Sequence, residues 1–156
     1  MDNHIRIRAV GLPEREPVTL MYERFEPLGG ALGLPPLRPE ARREWIGLAL
    51  RQELNLAALS ADGEVVGHCF LEADDSGSAE LALFVHQQFR RRGIGTALLK
   101  LALECAGAVG LRRVWSLTSS DNQPAIRLQL KCGFHRRSFA FGETELEIDL
   151  LVSRAA

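Results

Sequence analysis

A chain of 156 residues, 46% hydrophobic and 25% charged, is long enough to bury the core of one domain. Its formal net charge of −1 excludes a nucleic-acid binder that works through bulk positive charge. No apolar run reaches the ~20 residues that cross a bilayer, and the opening MDNHIRIRAV lacks the apolar stretch of a signal peptide. The expectation is therefore one cytoplasmic domain over residues 1–156, without nucleic-acid or membrane partners. Cys69, Cys105 and Cys132 are odd in number and unrelated in spacing, so they form neither a disulfide framework nor a metal site.

Residues 4–9 alternate as a first strand. Residues 17–26 read as a short helix with Pro17 in its first turn. The Gly- and Pro-rich residues 27–39 form a loop that would shape a substrate mouth, and residues 39–53 a second helix. A strand at 54–59, the Asp62-Gly63 turn and a strand at 65–72 make a hairpin, extended by a third strand at 79–86. Residues 93–109 form the strongest helix, with Ile94, Leu98, Leu101, Cys105 and Val109 on one stripe and Gly110 as its stop. A strand at 113–118, a helix at 122–131 and a hairpin of 134–141 with 144–152 complete an α/β order. In the last strand Leu146, Ile148, Leu150 and Val152 alternate with Glu145, Glu147 and Asp149, giving a core face and a wet acidic face.

Chemistry concentrates in residues 80–99, ELALFVHQQFRRRGIGTALL. A strand passes through a basic turn into a helix whose start holds Gly93 and Gly95. The first amides of a helix have no internal partner and carry partial positive charge. Two glycines let a bulky phosphate approach, Arg90, Arg91 and Arg92 add charge, and Thr96 adds a hydroxyl. These are the parts of a pyrophosphate seat. The spacing is not that of a nucleotide-hydrolysing P-loop, and Leu98 replaces the third glycine of the dinucleotide fingerprint.

Arg90-Arg91-Arg92-Gly93-Ile94-Gly95 resembles the Q/R-x-x-G-x-G/A signature of the GNAT superfamily of acyl-CoA N-acyltransferases. Asn122-Gln123-Pro124-Ala125, Leu128 and Gly133-Phe134 resemble its N-x-x-A…L-Y-x-x-x-G-F block. The resemblance is strong over residues 64–134 and looser before them. It implies a mixed, mostly antiparallel sheet flanked by helices in a single domain, with acetyl-CoA as cosubstrate and no metal. Arg90, Arg91, Arg92, Gly93, Ile94, Gly95 and Thr96 would form the pyrophosphate seat, with the amides of 91–96 as donors. The backbone of Leu83, Phe84 and Val85 would pair with the pantetheine arm, and Asn122 would hydrogen-bond it. The resemblance also brings a homodimer where apolar edges stay exposed.

The acceptor would be an amine. With a pKa near ~10.4, only about one lysine-type amine in ~10³ is neutral near pH 7, a deficit of roughly 4–5 kcal/mol, so a base is needed. Glu80, where the superfamily often places a catalytic glutamate, is that base, acting with a pKa raised by partial burial. The competing reading is an exposed or ion-paired strand glutamate. His86, further along the same strand, is a rival base, and His68 and His135 read as half-buried strand histidines. Gln129 stands where many members carry a tyrosine that protonates the leaving thiolate, and a glutamine cannot act as an acid.

Residues 21–25, Met-Tyr-Glu-Arg-Phe, the strand start AELAL at residues 79–83 and the N-x-P-A-x-R-L block at residues 122–128 are similar to the acetyltransferase domain of bacterial Pat-type protein-lysine acetyltransferases. That similarity makes Tyr22, Arg24 and Phe25 candidate acceptor contacts, with helix packing as the alternative. Three readings stay open: protein-lysine acetylation, acetylation of a small amine such as a polyamine, amino acid or aminoglycoside, and a non-catalytic acyl-CoA sensor.

Overall fold

The computed structural model describes residues 4–29 and 33–150. Its strands are β1 (Arg6–Ala9), β2 (Leu54–Leu59), β3 (Val65–Ala73), β4 (Ser78–Val85), β5 (Arg113–Ser119), β6 (His135–Ala140) and β7 (Glu143–Asp149). Its α-helices are α1 (Arg15–Glu23), α2 (Pro39–Leu50), α3 (Ile94–Ala108) and α4 (Gln123–Lys131). Short 3₁₀ turns occupy Leu12–Glu14 and Gln87–Phe89. The expected elements are all present, with ends moved by a few residues. The end of the last strand expected at Val152, and part of the expected loop at residues 30–32, lie outside the described residues.

The seven strands form one sheet in the order β1-β2-β3-β4-β5-β7-β6. Every neighbouring pair is antiparallel except β4 and β5, which run parallel. Helix α3 supplies the crossover that a parallel pair requires. β7 enters between β5 and β6, so the C-terminal hairpin docks by its second strand.

Alternation along the strands divides the core into two layers. Leu56 and Ala58 of β2, Cys69 and Leu71 of β3, Ala79 and Leu81 of β4, Val114 of β5 and Leu146 of β7 pack with Ile94, Leu98, Leu99, Ala102 and Ala106 of α3 and Ile126 of α4. On the other face Ala57, Leu59, Phe70 and Phe84 pack with Val18, Met21 and Tyr22 of α1, Phe25, and Ile46, Ala49 and Leu50 of α2. Val109, expected in the α3 stripe, caps the helix and is 52% exposed. Helix α2 stops three residues earlier than the periodicity suggests. There the Asn55 amide donates to the carbonyls of Ala49 and Gln52 at 2.8 and 2.9 Å, satisfying acceptors that the helix end leaves open.

His68 is fully buried rather than half-buried. The Tyr22 hydroxyl donates to its Nδ1 at 2.6 Å, and its Nε2 donates to Asn55 Oδ1 at 2.7 Å. Burial pulls its pKa down to about 3, so the ring is neutral. This chain joins α1, β3, β2 and the end of α2.

Candidate active site

β4 and β5 are paired only at Ser78–Arg113, Ala79–Val114 and Glu80–Trp115. Beyond Glu80, β4 keeps its partners on β3 and β5 keeps its partners on β7, with no ladder between them. The sheet therefore opens in its middle, with Leu83, Phe84 and Val85 along one lip and Leu117, Thr118 and Ser119 along the other. Strand backbones in such an opening carry unpaired hydrogen-bonding groups, which an extended ligand can meet as an added strand.

The basic turn lies at the end of β4. Arg91 and Gly93 both take left-handed conformations, with φ of 63° and 81°. For Arg91 this is an uncommon backbone state for a residue with a Cβ, of the kind held in place where a turn has a task. No side chain caps α3, and its first turn holds no acidic residue. The first helical bond runs from the Ala97 amide to the Gly93 carbonyl at 3.0 Å. The amides of Ile94, Gly95 and Thr96 thus precede the ladder and suit an anion.

The two glycines have different reasons. A Cβ on Gly93 would meet nothing within 4 Å, so the requirement there is the left-handed φ. A Cβ on Gly95 would come 2.7 Å from Leu128 Cδ1 of α4 and 3.6 Å from Val85 Cγ2. Gly95 is therefore a close-packing position between two helices, a role its place in the motif does not reveal.

Glu80 occupies the last rung before the opening. Its register partners are Glu72 on β3 and Trp115 on β5. It shares a face with Ala82 and Phe84, the face covered further along by α1 and α2. Among the described residues its carboxyl makes no hydrogen bond and no ion pair. Burial, and secondly the Glu72 carboxylate, raise its pKa. The next carboxylate along the row, Glu147, is Trp115's partner on β7. Arg113, His135 and Arg137 hold it, and the Arg113 hydrogen bond is the first cause of its lowered pKa. Glu145 and Glu147 of the expected acidic face are therefore charge-compensated, since Arg137 also pairs with Glu145 at 3.4 Å. The chemistry of the row separates one unpaired carboxylate with a raised pKa from one ion-paired carboxylate.

His86, the rival base, is buried with both ring nitrogens engaged. Nε2 donates to the Arg24 carbonyl at 2.9 Å, and Nδ1 accepts from the Gln88 amide at 3.3 Å. His135 is exposed beside Glu147 rather than half-buried. Tyr22 and Phe25 lie in the core at 0% and 5% exposure, within an aromatic cluster with Trp45 and Phe84. Arg24 is exposed, with a distant Glu64 carboxylate at 4.0 Å.

Asn122 caps α4 by accepting from the Ala125 amide at 3.3 Å, and its amide nitrogen makes no bond among the described residues. Gln129 is buried. It accepts from the Ser116 hydroxyl and donates to the Ala125 carbonyl at 3.3 Å, so it ties α4 to β5. The loop after α1 returns to the sheet at Gly33, where a Cβ would lie 3.6 Å from the Leu117 carbonyl. Sequence reasoning missed Glu72 and Trp115 as neighbours of the site, and it placed Leu128 in the second block without its packing against Gly95. Only the strand register and the helix contact bring them there, and neither leaves a local signal.

The model of the acetyltransferase (GNAT) family matches residues 18–134, three quarters of the chain. YwnH of Bacillus subtilis, whose name assigns it provisionally to phosphinothricin acetylation, is 26% identical over 117 residues, 72% of each chain. The GNAT domain of S. lividans PAT superimposes with a TM-score of 0.82 at 22% identity, covering 94% of this chain and 90% of that one. A phosphinothricin acetyltransferase from Sinorhizobium meliloti, solved with acetyl-CoA, gives 0.76 at 18% identity, covering 94% and 88%. With its two sequence blocks, its opened sheet and a family match over most of its length, the chain belongs to the acetyltransferase (GNAT) family.

Proposed function

We propose that the protein moves an acetyl group from acetyl-CoA to a primary amine, with Glu80 as general base. The observation that carries this reading is the last β4–β5 rung, which sets an unpaired, half-buried carboxylate where the two strands part. The donor set fits the cosubstrate. Uncapped amides at 94–96, a left-handed turn, the charges of Arg91 and Arg92 and a first helical turn with no acidic residue suit a pyrophosphate. The strand edge of Leu83, Phe84 and Val85, where the Val85 carbonyl already accepts from Arg90 Nε, suits an amide-bearing arm, and the open amide nitrogen of Asn122 offers a further donor. Bound acetyl-CoA supplies an activated thioester carbonyl.

Glu80 takes the proton that the amine must lose. Its raised pKa keeps it a stronger base than an ordinary glutamate. Gln129 holds α4 against β5 and gives no proton. A thiol of the cysteine type titrates near ~8.5, so it can leave as a thiolate and take its proton from water. Of the first-helix candidates, Arg24 is the one open to an acceptor, while Tyr22 and Phe25 shape the wall behind Phe84.

Protein lysine is the acceptor suggested by the likeness to Pat-type domains. A small amine is the second reading, supported by the phosphinothricin names of one relative and one structural neighbour. Both are tested by following thiol release from acetyl-CoA with two acceptor panels, cell-extract proteins and small amines. Glu80→Gln is run beside the wild type, with acetyl-CoA affinity measured on both. Turnover by the wild type alone, at equal affinity, supports the base, and the productive panel names the acceptor class. Equal turnover by Glu80→Gln would remove Glu80 from the mechanism. Binding without transfer to any acceptor would favour an acyl-CoA sensor.

A further inference from the structure

The guanidinium of Arg90, first residue of the signature, faces protein. Its Nε donates to the Val85 carbonyl at 2.9 Å, and Nη2 donates to the Glu26 carbonyl at 2.6 Å. The same group lies over the Phe25 ring, 5.3 Å from its centroid. Two neighbours on the turn act alike. His86 Nε2 and Gln87 Nε2 both donate to the Arg24 carbonyl, at 2.9 and 2.7 Å. Gln87 Oε1 accepts from the Glu26 amide at 2.9 Å. Three side chains that precede α3 therefore hold the backbone where the α1–α2 loop begins, and that loop reaches the far lip of the opening at Gly33.

We propose that Arg90 is a positioning residue that couples the pyrophosphate turn to the loop bordering the acceptor mouth, so that acetyl-CoA and the amine bind with positive coupling. This rests on the acetyl-CoA reading given above.

The physical route is short. Arg90 is exposed, and both hydrogen bonds of its guanidinium go to neutral carbonyl oxygens. An anion on the adjacent amides favours the charged guanidinium in that position. It also fixes the left-handed Arg91, whose relaxation would swing Arg90 away from Glu26. A turn held in place then holds Arg24 and Glu26, where the loop begins. By linkage, an acceptor that holds Arg24 and Glu26 tightens the turn around the cofactor to the same extent.

The Glu26 amide is a single-site reporter, because its acceptor is a side chain of the turn. Its hydrogen exchange is measured with and without saturating acetyl-CoA in the wild type, Arg90→Gln and Arg90→Lys, with acetyl-CoA binding followed by calorimetry. In the wild type the cofactor is expected to slow that exchange at least about fivefold, the lower end of usual coupling between sites. Both variants are expected to bind acetyl-CoA and to show less than about a twofold change. The lysine keeps the charge but cannot bridge the two carbonyls. A role confined to packing would alter the basal exchange and leave the cofactor-linked change intact, which would overturn the proposal. Restoration of the change by Arg90→Lys would overturn it too. An unchanged Glu26 amide in a wild type that binds acetyl-CoA refutes the coupling alone, without any variant. A wild type that does not bind acetyl-CoA refutes the cofactor reading and the coupling with it.

Discussion

Beneath α1 and α2, Tyr22, His68 and Asn55 form a buried chain in which each polar group has a partner. At the opening between β4 and β5, on the same face of the same sheet, the Glu80 carboxyl has none among the described residues. Burial acts on both places, but with opposite results. In the first it holds His68 neutral, and the neighbouring donors and acceptors make that neutral form fit. In the second it raises the pKa of a carboxylate that no donor compensates. Paired polar groups hold elements together, whereas an unpaired one with a shifted pKa is available for proton transfer.

The largest expected effect breaks the second place. Glu80→Gln should lower kcat/KM by about 10²–10⁴-fold, the usual range for losing a general base, with acetyl-CoA affinity unchanged by calorimetry. In the wild type, activity should fall as pH drops through the raised pKa of Glu80, because the base must be ionised.

The next effect belongs to the first place. The pKa of His68 is depressed in the folded state, to about 3. As pH falls from the ordinary histidine range toward that value, the unfolded chain gains a proton that the folded one refuses. The folded-to-unfolded ratio should therefore fall by up to about tenfold per pH unit in that window. Urea unfolding across pH reads this slope, and His68→Gln should remove it.

Gly95→Ala sharpens the boundary between the regions. Overpacking against Leu128 should cost about 1–3 kcal/mol in a urea melt. Pairing the change with Leu128→Ala should recover part of that loss, as a double-mutant cycle would show. If cofactor affinity fell with no loss of stability, Gly95 would be a phosphate-approach residue instead.

The smallest effect runs against intuition. A carboxylate whose folded pKa is raised makes stability fall as pH rises through that pKa. Glu80→Gln should thus be slightly more stable than the wild type at neutral pH, a gain that shrinks as pH falls toward the ordinary glutamate range. Paired thermal melts would show it, and an unchanged or lower melting temperature would mean that the carboxylate is not strained in the fold.

Much of the fold was legible because periodicity is local. Ile94 and Leu98 mark the buried stripe of α3, and alternating residues mark β7. The glycine-arginine turn was legible too, since its chemistry is written in consecutive residues. Sheet order was not, because the insertion of β7 beside β5 depends on pairings across distant segments. The burial of Tyr22 and Phe25 was equally hidden, since the same cluster suits a helix face or a substrate wall until Trp45 and Phe84 are seen around it. Arg90 shows the limit most plainly. An arginine run reads as a field for phosphate, yet its first member reaches a carbonyl 64 residues earlier in the chain.

The three rungs between β4 and β5 also have a mechanical consequence. Among the described residues they are the only ladder joining a four-stranded half to a three-stranded half, so the domain is stitched along a short seam that an extended guest strand would lengthen. A molecule built this way would borrow part of its architecture from the cosubstrate proposed above. Its rigidity should then rise and fall with each turnover, independently of the proton transfer proposed for Glu80.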